Sequence, residues 1–287
     1  MKSSVRKKRL WLLLPLLLLS GWIAWHFPDN SPLISGIETD WDLSRYQPIE
    51  PARHVDGIQE NLSGITYHPP SGLLYAVTNR PCKVHVLNKN GELQRTIDLP
   101  GFRDTESITY LYDNFFVIAE ENLYNLMRVE ITEATESITH DQAVRFNLAE
   151  EDDDNNGIEG VAWSQQFGLF AVKETPPTLL HQPVDEWGMG VDLSGLLSMR
   201  LKVRDYAGLS VLPGKEDKLL ILSESSDSLH VVDMQGRELS RLSLRAGKLG
   251  LIGWLWQPEG VAVDNDGRIY VVGEPNQFLV LERRPDR

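Results

Sequence analysis

Residues 156–174 read NGIEGVAWSQQFGLFAVKE, and this stretch decides the fold. It contains a tight entry, a short apolar strand over 160–163 and a turn near 166–168. A second strand over 169–173 and a closing glutamate follow. Short apolar or alternating runs bounded by turn residues are strand signals. The chain then repeats the unit. Gly64 opens GITYHPPSGLLYAVTN, Ser107 opens SITYLYDNFFVIAE, and Gly160 opens GVAWSQQFGLFAVKE. Gly208 opens GLSVLPGKEDKLLILSE and Gly260 opens GVAVDNDGRIYVVGE. Successive openings lie 43, 53, 48 and 52 residues apart. A period of about 40–50 residues with several short strands per unit marks a propeller blade. Helical repeats would need apolar residues at i, i+3, i+4 and i+7, and no run of useful length after residue 30 has them.

Further strands are expected in each repeat. In the first they are 83–87 and 93–99, around the turn NKNG at 88–91. In the second they are 127–131 and 143–148, and in the fourth 228–233 and 238–244. The third is irregular: residues 176–204 contain PP, WGMG and DLSG, and predict a longer excursion with a helical turn at 191–197. The last repeat has room for only three strands, 261–263, 268–272 and 278–282, before the chain ends. A ring of blades must close, so residues 41–51 are expected to supply the missing outer strand and cover an open edge. The reading is an all-β, five-bladed β-propeller over residues 41–287, preceded by an N-terminal transmembrane anchor.

The anchor is read from the first 27 residues. Lys2, Arg6, Lys7, Lys8 and Arg9 precede LWLLLPLLLLSGWIAWHF (10–27), which has no charged side chain. A signal-peptide core runs about 7–15 residues and ends at a small-x-small cleavage site. This run is longer, lacks that site, and carries Trp22 and Trp25 at its far end as interfacial aromatics. An uncleaved anchor with the basic cluster in the cytoplasm is favoured over a cleaved signal peptide. Residues 28–40 (PDNSPLISGIETD) read as a linker.

The chain has 287 residues and a net charge of −13. That balance argues against a phosphate-backbone partner, which wants a basic face, so no nucleic acid is expected. It is compatible with a cation site, and a solubilising surface is the commoner reason for an acidic balance. The single cysteine, Cys82, permits no intramolecular disulfide and reads as a buried, inert thiol.

Two sets of residues recur. Ser63, Glu106, Glu159, Ala207 and Glu259 stand just before the first strand of each repeat. Asn79, Glu120, Glu174, Glu224 and Glu274 close the second strand. The start of one strand and the end of its antiparallel neighbour share one end of a hairpin. The first strand of each blade lines the axis. Seven glutamates therefore converge on one channel mouth, with Asn79 and Asn276 offering amide oxygens. Clustered carboxylates repel unless a cation, basic side chains or shifted pKa values compensate. Oxygen ligands without recurring His or Cys favour Ca²⁺ over zinc. Any single glutamate is explained equally well as a loop cap or a partner of Arg80, Arg103, Arg128 or Lys173; the set points to a metal.

The acidic run EEDDDNNG (150–157) opens like an EF-hand loop. Its twelfth position is Trp163, and no helices flank it, so that reading is rejected. There is no G-x-S-x-G, H-E-x-x-H or P-loop. The histidines are scattered, and His68, before two prolines, reads as a turn residue. Trp187, Trp254 and Trp256 fall on expected loops and could line a ligand groove.

The motifs DTESITY (104–110), IEGVAW (158–163), VKE (172–174), LSES (222–225), PEGVAVD (258–264) and GEPN (273–276) resemble the SdiA-regulated family of exported or membrane-anchored bacterial proteins. The resemblance covers roughly residues 40–287. It implies a five-bladed propeller that binds calcium, distantly similar to NHL-repeat propellers, held on the bacterial inner membrane with the propeller in the periplasm. It implies no particular activity. Ser107 departs from the pattern, standing where the family has glycine after the glutamate. Two functions are weighed. One is a calcium-binding scaffold for an unknown small-molecule or protein ligand. The other is a calcium-dependent hydrolase of the lactonase or phosphoesterase type, with Glu106 or Glu174 as general base. A metal-free interaction propeller leaves the facing carboxylates unexplained.

Overall fold

The computed structural model describes residues 40–147, 157–182, 201–214, 218–245 and 255–285. They form five antiparallel sheets, one for each repeat. After β1 (Tyr46–Pro48) and β2 (Arg53–His54), the first blade comprises β3 (Leu62–His68), β4 (Leu73–Asn79), β5 (Cys82–Leu87) and β6 (Leu93–Asp98). The second comprises β7 (Thr105–Tyr112), β8 (Phe115–Glu120), β9 (Asn125–Glu130) and β10 (Val144–Asn147). The third has β11 (Ile158–Ser164), β12 (Gly168–Lys173) and β13 (Thr178–Gln182) among the described residues. The fourth comprises β14 (Gly208–Leu212), β15 (Lys218–Ser223), β16 (Ser228–Asp233) and β17 (Glu238–Ser243). The fifth has β18 (Pro258–Val263), β19 (Ile269–Gly273) and β20 (Gln277–Arg283).

The innermost strands neighbour one another in the cyclic order β3, β7, β11, β14, β18 and back to β3, so five blades close the ring. The outer strand of the fifth blade comes from the start of the domain. β1 pairs with β20 from Tyr46↔Arg283 to Pro48↔Leu281, and β2 extends the same edge. The strand is shorter than the expected 41–51, because residues 43–45 turn in a 3₁₀ helix capped by Asp42. The stacked rings of Trp41 and Tyr46 pack into the seam between the fourth and fifth blades.

Successive side chains of a strand point to opposite faces, so each blade serves two interfaces. In β19, Ile269 and Val271 pack toward the fourth blade, while Tyr270 and Val272 pack toward the first. Five apolar clusters result, one per blade boundary. The expected anchor (1–27), all but the last residue of the linker (28–40), most of the acidic run (150–157) and the helical turn at 191–197 lie outside the described residues. So do Trp187 and Trp254. Among the described residues no helix is long and apolar enough to cross a membrane.

Candidate functional site

Each innermost strand opens at the same end of the ring, and there the backbones crowd. A Cβ on Gly64 would stand 2.6 Å from Ser107 Cα, and one on Gly260 would stand 2.3 Å from the Ser63 carbonyl oxygen. Only glycine lets adjacent strands approach so closely. The second blade has Ser107 instead, and its hydroxyl turns outward to accept the Val161 N–H of the third blade at 3.0 Å. The departure from the family pattern is thus a substitute contact across the same seam.

Three glutamates enter this narrow throat by one device. The ladder slips between Thr105 and Ser107, between Ile158 and Gly160, and between Pro258 and Gly260. Glu106, Glu159 and Glu259 are the extra residues, and a bulge re-aims the side chain it carries. The first blade has its own slip, between Leu62 and Ile65, with Ser63 at the equivalent place. In the fourth blade the place is held by Ala207, whose N–H pairs with Leu222.

The outer set is defined by a second repeated contact. The backbone N–H groups of Asn79, Glu121 and Glu274 donate to the carbonyls of Asn61, Asp104 and Gln257, each a residue of positive φ. Glu121, not Glu120, is therefore the counterpart of Glu174, Glu224 and Glu274. Glu120 is fully buried and turned away from the throat. It accepts from the Arg103 N–H (2.8 Å), Asn125 Nδ2 (3.3 Å) and His140 Nε2 (3.2 Å), and so ties down the loop before β7. The signal for Glu121 was in the sequence. It follows Ser107 by the same 14 residues that separate Glu174 from Gly160 and Glu274 from Gly260. The adjacent pair Glu120–Glu121 hid it.

The structure brings two overlapping groups together. Carboxylate oxygens of Asp104, Glu106 and Glu121 lie within 4.8 Å of one another, and so do those of Glu121, Glu159 and Glu174. Asn79 Nδ2 donates to Glu106 at 2.7 Å, and its Oδ1 is buried with no hydrogen-bond partner. Gly157 sits against Glu121: a Cβ there would stand 2.2 Å from the Glu121 carbonyl oxygen. Glu259, Glu224 and Glu274 stand outside these groups, though their charges reach the same region. Asp205, missed in the sequence reading, is buried nearby and accepts from Ser225 N at 2.8 Å. Asn276 is occupied elsewhere, bonded to His54 and to the Val55 and Ile58 carbonyls.

Burial and mutual repulsion dominate the electrostatics of the mouth, with Arg80 opposing them at Glu274. Burial, opposed by the Asn79 and Ser63 hydrogen bonds, pushes Glu106 up to about 7. Burial and the charges of Glu224, Glu106 and Glu274 push Glu259 up to about 9. Burial raises Glu159 well above the usual carboxylate range, with Glu121, Glu106 and Glu259 adding to it. Glu121, Glu174, Glu224 and Glu274 are all raised, burial first in each. Among the described residues no Lys or Arg forms an ion pair with any of these seven glutamates. Arg80 reaches Asp104 at 3.3 Å but is largely exposed. Lys173 lies over the Tyr124 ring and Arg128 over Phe115. Cys82 is partly buried, its thiol donating to the Asn79 carbonyl. Trp256 is 63% exposed.

A family model described as SdiA-regulated matches residues 38–282. The chain belongs to the SdiA-regulated family. This SdiA-regulated protein is also similar in fold to solved propellers of low identity. One is a streptogramin B lyase (14% identity, TM-score 0.43), covering 78% of this chain and 65% of that one. Another is virginiamycin B lyase from Staphylococcus aureus (15%, TM-score 0.44), covering 78% and 66%. A third is a chain of a nidogen/laminin complex (14%, TM-score 0.48), covering 75% and 73%. The SdiA-regulated chain thus spans about two thirds of the length of the lyases it matches.

Proposed function

We propose that this SdiA-regulated protein is a calcium-binding propeller, anchored in the bacterial inner membrane through residues 10–27 with its propeller in the periplasm. It serves as a binding module for a small-molecule or protein ligand. One observation carries the reading: seven raised glutamates face a single mouth with no basic side chain paired to them among the described residues. Burial of unpaired charge is costly, and a cation is the economical remedy. The donor set fits Ca²⁺. It offers carboxylate oxygens and the orphaned Asn79 Oδ1, which a hard cation of about 6–8 oxygen ligands takes. Glu121, common to both groups, would hold the ion with Glu159 and Glu174, and Asp104 and Glu106 would stand beside it. Glu259, Glu224 and Glu274 deepen the negative potential that draws it in.

The test is thermal unfolding of the purified protein with calcium, with magnesium and with chelator. A ligand that binds only the native state raises the melting temperature with its free concentration over Kd. A calcium-specific rise that Glu159→Gln abolishes supports the reading; no rise at millimolar calcium overturns it.

A second reading, a calcium-dependent hydrolase, is favoured by one observation. In the metal-free site Glu106 stands at about 7, in the range where a general base works at neutral pH. Bound calcium would supply Lewis-acid polarisation of a carbonyl or phosphoryl oxygen. Glu106 would take a proton from water. Turnover of lactones or phosphoesters that falls about 10²–10⁴-fold in Glu106→Gln would establish it.

A further inference from the structure

At the other end of the innermost strands the channel opens into a cavity of about 330 Å³, at the small end of the range for ligand pockets. All five innermost strands contribute to its wall. Among the described residues that line it there is no Asp, Glu, Lys, Arg or His. Its polar groups are neutral hydroxyls and amides, including Ser210, Gln166 and Asn265, which make no side-chain hydrogen bond among the described residues. Its apolar surface includes the half-buried rings of Tyr67, Tyr110 and Trp163. The ammonium of Lys89, 5.1 Å from the Tyr67 ring centroid, is paired with Asp264 at 2.7 Å and Asp266 at 3.1 Å.

This lining selects a ligand class. The described lining offers no charge, so an ionic ligand would give up its water there without a partner. A purely apolar ligand would strand the free hydroxyls and amides. Hydroxyls and carboxamides each donate and accept, so they pair with a ligand whose own groups do both. Aromatic faces cover carbon-bound hydrogens beside them. A sugar ring has both features, a belt of hydroxyls and a face of C–H bonds. We propose that this neutral cavity is a second binding site, distinct from the acidic mouth, and that it takes an uncharged saccharide unit.

The test is saturation-transfer NMR on the full chain in detergent, in chelator and in calcium, with millimolar glucose, N-acetylglucosamine and maltose as probes. The expected result is saturable transfer to at least one neutral sugar in both conditions, so the outcome is independent of the calcium site. Ser210→Phe, which fills the cavity, should abolish it. Asn265→Ala, an exposed rim change that leaves folding intact, should weaken it about fivefold, as loss of one neutral hydrogen bond does. No transfer to any neutral sugar, transfer unchanged in Asn265→Ala, or preference for glucuronate or adenosine would overturn the proposal.

Discussion

The two ends of the channel are made by the same five strands and are chemical opposites. At one end glycines bring the backbones together, and bulges turn three glutamates into the gap. At the other end the walls stand apart around a cavity whose described lining carries no charged side chain. Along a single strand the chemistry changes within a few residues: β7 runs from Glu106 to Tyr110, and β11 from Glu159 to Trp163. Close backbone approach concentrates charge and burial, so pKa values rise. An open mouth leaves polar groups solvated, suited to exchanging water for a ligand.

The sharpest way to break the contrast is to fill the throat. Gly260→Val places atoms against the Ser63 carbonyl and Gly64. It should destabilise the protein by about 3 kcal/mol or more in urea unfolding, as overpacking does, and remove the calcium response with it.

Next comes the charge itself. Saturating calcium should stabilise the native state by about 2.7 kcal/mol at a hundredfold excess over Kd. The effect has a pH window. Burial holds Glu106 at about 7 and Glu259 at about 9, above the value of about 4.3 in an unfolded chain. The folded state therefore keeps protons that the unfolded state has released. In chelator, stability should be full below about pH 4.3 and decline as pH rises through about 7 toward 9. Calcium should flatten that decline. Melting temperatures across pH, with and without calcium, measure both.

A smaller effect separates the neighbours Glu120 and Glu121. Glu120→Gln should cost about 1–3 kcal/mol, because its backbone and side-chain donors lose a charged acceptor. Its calcium response should remain. Glu121→Gln should do the reverse, keeping stability in chelator and losing the response. The smallest change is Ser107→Ala, which leaves the buried Val161 N–H without its acceptor. A loss of about 1 kcal/mol in denaturant unfolding is expected.

Five repeats of strand, turn and strand were legible because each blade needs the same alternation to face two neighbours. The borrowed outer strand was legible by counting, since the last repeat shows only three strand signals, at 261–263, 268–272 and 278–282. Most of the acidic mouth followed from spacing. The slip from Glu121 to Glu120 came from reading strand ends without a register: two adjacent glutamates look alike until the Glu121 N–H is seen paired with the Asp104 carbonyl. Asp104 and Asp205 were invisible because they precede their strands at places where other blades carry Gln257 or Gly157.

By itself the sequence determined the number of blades, the order in which they close, and the glutamates that recur at their starts. Local pattern encodes these things, because period-2 alternation and turn residues act over a few neighbours. The tertiary structure alone decided which of two adjacent carboxylates faces the axis and where the backbones touch. It alone showed, at the far mouth, a cavity with no charged side chain in its described lining. Those depend on register and on the approach of strands some 50 residues apart in the chain, and a side chain's direction there flips with a slip of a single residue.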